Sequence, residues 1–170
     1  MEEGLSTDLV TKLPSECTAE ELADFEARVL DGGEVASVGL DERIRAAKLV
    51  AFVREASLTV AVGALKRPEA WYRESVFAKA VASAHPTSFP FELGWIYVAP
   101  DQRGKGIGSK IARQLLEGSD DLVYATARAT NQPMIKILIA LGFHHDGEPF
   151  QSSLSAEQMV LLVQSHAGPA

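Results

Sequence analysis

The segment that most constrains this chain is "VAPDQRGKGIGSKIA", Val98 to Ala112. Gly104, Gly106 and Gly108 alternate there, directly after an apolar run and directly before Ile107, Ile111 and Leu115 at i, i+4 and i+8. That spacing predicts a helix with one apolar face, ending near Gly118. The preceding "FELGWIYVAP", rich in aromatic and β-branched residues, predicts a strand. A strand that feeds a helix through glycines leaves unpaired N–H groups at the helix start, where the macrodipole also favours an anion. Phosphate is the natural guest, since glycine lets it approach the backbone and Arg103 and Lys105 add positive charge.

Spacing narrows the phosphate ligand. A nucleoside triphosphate loop needs four residues between its first glycine and a Gly-Lys pair followed by Ser or Thr, an order that "RGKGIGSK" does not supply. A dinucleotide fingerprint wants G-x-G-x-x-G in an early βαβ unit, whereas Gly104, Gly106, Gly108 and Ser109 stand well past the middle of the chain.

The rest of the chain reads as alternating elements. "TAEELADFEARVLDGG" has Thr18 and Glu21 at capping-box spacing, Leu22, Phe25 and Val29 on one face, and Gly32 and Gly33 at its end. A shorter helix is expected over Leu40 to Lys48, then two β-prone segments, "LVAFVREA" and "SLTVAVGAL", paired antiparallel about a turn near Glu55 to Ser57. Pro68 opens a helical insert at about 68–86, which "HPTSFP" breaks. "DLVYATARA" is a further strand; Asn131 and Pro133 open a helix closed by Gly142, and two last strands follow. With no repeat or linker in its 170 residues, the chain is expected to form one mixed α/β domain on a mostly antiparallel sheet, its final "HAGPA" frayed.

Composition excludes several roles. A net charge of −7 argues against a nucleic-acid surface and is compatible with a cationic or basic partner. No apolar run reaches the roughly 20 residues of a membrane span, and the acidic start "MEEGLSTDLV" is unlike a secretory leader, so a cytoplasmic location away from membranes is expected. The single Cys17 allows no intrachain disulfide. His144 and His145 are adjacent strand residues pointing to opposite faces, so no metal site is expected from them.

The glycine stretch, with Arg103-x-x-Gly106-x-Gly108 after the strand ending in Val98 and "NQPMIKILIALGF" downstream, resembles the acyl-CoA binding motif of the GNAT family of N-acetyltransferases. The resemblance extends over most of the chain and implies an acetyl-CoA co-substrate and a primary-amine acceptor. By that likeness, Arg103, Gly104, Lys105, Gly106, Ile107, Gly108 and Ser109 would take the pyrophosphate. Backbone groups of Ile96, Tyr97 and Val98 would pair with the pantetheine arm like an added strand. Asn131 would be a coenzyme contact or simply the helix cap that its position predicts. A homodimer is a common state for such domains.

Acetylating an amine of pKa ~10.4 at pH 7 means neutralising it first, a cost near 4 kcal/mol, so a base is valuable. Glu92, eleven residues ahead of Arg103, matches the glutamate that serves as base in one branch of the family. Strand alternation would place Glu92, Gly94, Ile96 and Val98 on one face. Relatives often carry a tyrosine as general acid four residues before the Gly-Phe pair, where this chain has Leu138. Tyr97, Tyr124, His144 or water remain as substitutes, and the alternative to an enzyme is a non-catalytic acyl-CoA-binding module. Trp71, Tyr72, Arg73 and Phe77 fall where relatives shape the acceptor pocket, or simply pack an amphipathic helix.

Overall fold

A computed structural model describes residues 7–33 and 35–170; the acidic opening residues 1–6 and Glu34 lie outside the described residues. Seven strands form one sheet in the order β1-β2-β3-β4-β5-β7-β6. They are β1 Thr7–Lys12, β2 Leu49–Glu55, β3 Leu58–Lys66, β4 Phe91–Val98, β5 Val123–Arg128, β6 Phe143–Gln151 and β7 Gln158–Gln164. Every neighbouring pair is antiparallel except β4 and β5, which is the mostly antiparallel mixed sheet that the sequence predicts.

The helices are α1 Ala19–Asp31, α2 Leu40–Arg45, α3 Ala70–Lys79, α4 Ile107–Glu117 and α5 Gln132–Ala140. α1 and α2 bury Phe25, Val29, Leu40 and Ile44 against Val50, Phe52, Val62 and Ala64 on one face. On the other face, Ile111 and Leu115 of α4 and Leu138 of α5 pack with Ala51, Leu65, Leu93, Ala125 and Leu162. α3 returns to the first face, where Val76, Phe77 and Ala80 meet Tyr124, Leu161 and Val163. The capping box of α1 forms as its sequence predicts, with Thr18 Oγ1 accepting from Glu21 N and Glu21 Oε1 from Thr18 N, both at 3.0 Å. Glu21 also binds Lys12 at 3.0 Å and Arg54 at 2.7 Å, fastening α1 to β1 and β2. The Thr18 backbone bond first, then Arg54 and Lys12, hold its carboxyl down at about 2.

Three expectations are corrected. β1 was not foreseen, because "TDLVTK" is short and weakly alternating; pairing with β2 makes it a strand. The helix of the insert is shorter than expected: α3 stops at Lys79, and Val81 turns away with a φ of 53°. β6 holds the chain that follows, the Asp146 carboxylate accepting from Ser83 N at 2.8 Å and Ala84 N at 2.9 Å. The tail expected to fray is bound, since Ala170 N donates to Leu141 O at 3.2 Å and Gln164 Nε2 to Gly168 O at 2.8 Å.

Candidate active site

β4 and β5 lie side by side for only two residue pairs, Phe91↔Val123 and Glu92↔Tyr124. Beyond them the strands part: from Leu93 onward β4 keeps β3 on one side and has no strand partner on the other among the described residues. The result is a wedge with Glu92 and Tyr124 at its apex and the glycine turn at its open end. An extended ligand arm can enter it as an added strand, which is how Ile96, Tyr97 and Val98 were expected to act.

β4 also carries an irregularity that the sequence does not announce. Val62 pairs with Tyr97 while Ala64 pairs with Gly94, so β4 has one extra residue and Trp95 takes a φ of 52°. A bulge shifts the alternation by one, and this overturns the expected shared face of Glu92, Ile96 and Val98. Ile96 and Val98 pack on the α4 side, whereas Trp95 and Tyr97 turn to the α1 side with Glu92. A left-handed tryptophan costs on the order of 1–2 kcal/mol. Lys66 Nζ lies 4.7 Å from the Trp95 ring and Phe25 meets that ring edge-on at 6.3 Å, packing that holds it in place.

The turn is assembled as its sequence suggests. Gly104 and Gly106 both have φ of 78°, the left-handed region where a side chain is strained. Gly106 is the N-cap of α4 and offers no side chain, while Lys110 N returns to Gly106 O at 3.1 Å. The first-turn N–H groups of Ile107, Gly108 and Ser109 therefore have no carbonyl within the helix to bind. Gly108 is not needed for packing, because a Cβ there would meet Ile137, Ile96 and Val98 only at 3.6 to 3.9 Å. The two cations are partly committed: Arg103 Nε donates to Val98 O at 3.0 Å and Lys105 Nζ to Gln102 Oε1 at 3.1 Å. Buried Gln102 in turn donates to Glu55 Oε2 at 2.8 Å, pinning the turn to the β2–β3 hairpin. Asn131 serves as the cap of α5, its side chain accepting from Met134 N at 3.3 Å.

At the apex, Glu92 is 4% exposed. Its Oε2 accepts from Tyr124 Oη at 2.9 Å and its Oε1 from Lys66 Nζ at 3.3 Å. Burial first, then the Glu92 charge, push the Tyr124 phenol far up, so it keeps its proton. The Tyr72 phenol on α3 is raised as well, chiefly by Glu92. Lys66 was missed in the sequence; only strand register sets it opposite Glu92. Tyr97 lies under Arg103, whose guanidinium is 5.9 Å from the ring, and His144 meets Ser165 Oγ at 3.2 Å, so neither is at the apex. Leu138 is fully buried in the core.

Residues 65–143, which carry β4, the turn, α4 and α5, match the model of the acetyltransferase (GNAT) family. The chain finds no match among curated proteins. Among solved structures, an acyl-CoA N-acyltransferase from Pseudomonas aeruginosa is 15% identical, with 94% of this chain and 100% of that one covered at a TM-score of 0.68. The structure of yncA from Salmonella typhimurium, solved with its cofactor acetyl-CoA, is 16% identical, with 97% and 98% covered at 0.63. The ribosomal-protein-S18-alanine N-acetyltransferase from Escherichia coli is 11% identical, with 97% and 96% covered at 0.66. At these identities the structures speak to the fold alone: residues 65–143 match the acetyltransferase (GNAT) family model, and the whole chain shares the fold of these solved structures.

Proposed function

We propose that the protein transfers an acetyl group from acetyl-CoA to a primary amine in a single ternary complex. The observation that carries this reading is the wedge: β4 and β5 separate after Glu92↔Tyr124, and the open β4 edge runs into the unpartnered N–H groups of α4. An extended pantetheine arm fits the first part and a pyrophosphate fits the second. Ile96, Tyr97 and Val98 would border the arm, and the backbone of Gly104 to Ser109 would hold the anion. Acetyl-CoA, when bound, supplies an acetyl thioester whose C–S bond breaks as the amide bond forms.

The chain's own contribution is to the proton. Glu92 accepts it from the amine; each of its oxygens takes one protein donor and keeps further lone-pair capacity. Tyr124 and Lys66 are positioning residues, fixing the carboxylate at the point where the strands part. A thiol of ordinary pKa ~8.5 leaves tolerably as thiolate near pH 7 to 8, so an apolar Leu138 is compatible with turnover. The test is thiol release from acetyl-CoA across a broad panel of amines, with calorimetric titration of coenzyme A alongside. Turnover that collapses in Glu92→Gln while coenzyme binding persists supports the reading; coenzyme binding with no thiol release from any amine would favour an acyl-CoA-binding module.

A further inference from the structure

The helix that covers the apex carries an arginine whose buried Nε finds no acceptor among the described residues. Arg73 stands at i of α3 with Val76 and Phe77, the buried residues of the helix, at i+3 and i+4 and the buried cap residue Ala80 at i+7. Arg73 thus begins the stripe that lies over the sheet. Its Nε is buried with no hydrogen-bond partner among the described residues. Glu69, one turn back at a spacing suited to an ion pair, is exposed and does not pair with it.

The neighbouring cations are occupied. Lys66 is bound to Glu92, and Arg43 of α2 donates to the carbonyls of Ala36 and Val38. Arg73 lies one turn before Phe77, whose ring packs against Tyr124 at 5.2 Å between centroids, and Tyr124 donates to Glu92. Tyr72, beside it on α3, packs against the cluster that holds Tyr124. A buried guanidinium N–H without an acceptor is unfavourable, and it is satisfied when a ligand brings an oxyanion to it.

We infer that the acceptor is a small primary amine that also bears an oxyanion, with Arg73 holding the anion while Glu92 takes the proton. This rests on the transferase reading and departs from the cationic acceptor that a net charge of −7 suggests, because the charge at the mouth is set locally. The guanidinium fork suits a carboxylate or a phosphonate, the shared chemistry being two or three oxygens around one centre.

The test measures thiol release with wild type, Arg73→Ala and Arg73→Lys on three matched sets: amino acids, their amides, and the corresponding aminophosphonates. Wild type is expected to favour the acids over the amides by about tenfold or more in kcat/KM. Arg73→Ala should lose that preference through KM and leave the amides within about twofold, while Arg73→Lys recovers part of it. Thermal melting should show Arg73→Ala as stable as wild type, since the side chain removed had an unanswered donor. The better of the two acids identifies the anion. Equal use of acids and amides by wild type, or an equal loss on both in Arg73→Ala, overturns the substrate class and leaves the transferase standing. Silence from every amine overturns the transferase reading and this inference with it.

Discussion

At the open end of the wedge, a single run of residues from Gly104 to Ser109 presents backbone N–H groups. At its apex, Glu92 meets Lys66 across 26 positions of sequence and Tyr124 across 32. The first region works through main chain, so its requirements are conformational: left-handed φ at Gly104 and Gly106, with Gly108 in the first turn of α4. The second works through side chains that three strands bring together, and its requirements are charge and proton position. On the proposed function, holding a coenzyme and using it are therefore separable tasks, and each is expected to be disabled alone.

The largest separation is expected from Glu92→Gln. Turnover at pH 7 should fall by about 100-fold or more, the ordinary contribution of a positioned base, while coenzyme A affinity stays within about twofold. Steady-state thiol release beside calorimetry reads both quantities, and equal losses in the two would merge the regions. Gly108→Ala is the converse: the added methyl should weaken coenzyme A binding by about tenfold. Melting should hold or improve, since alanine is better than glycine by up to about 1 kcal/mol inside a helix. Unchanged affinity would move the phosphate away from the start of α4.

Tyr124→Phe sharpens the apex. It removes the donor to Glu92 Oε2 inside the core and should cost about 1–3 kcal/mol in denaturant unfolding, the usual penalty for a buried acceptor left unsatisfied. A neutral result would mean that Lys66 alone fixes the carboxylate. The smallest effect distinguishes both regions from the fold as a whole. Glu21 has its carboxyl held down at about 2, so the stability it contributes is complete above the unfolded value near 4.5 and is lost as pH falls from there through about 2. Acid unfolding of Glu21→Gln should lack that component, and activity lost above pH 5 should be the same in both proteins.

The turn was legible in advance because its signals are local. Helix spacing in Ile107, Ile111 and Leu115, glycine at the start and the apolar strand before it all lie within a short window, and the matching elements formed where expected. The same holds for the capping box at Thr18 and Glu21 and for the Asn131 cap. The face of Glu92 was misread because a single bulge at Trp95 reverses every later residue of β4, and no residue in "FELGWIYV" marks it. Lys66 was invisible because its relation to Glu92 is one of strand register. Arg73 was noted only as part of an aromatic segment; its unanswered Nε emerged from the packing of α3 over the sheet.

The sequence by itself determined most of the elements, the mostly antiparallel sheet and the character of the turn, since propensity, capping and glycine conformation act between near neighbours. Only the tertiary structure decided where β4 and β5 part, which face Glu92 takes and which groups hold its carboxylate. Those depend on register between strands distant in sequence, and register is fixed by the packing of the whole core rather than by any one segment.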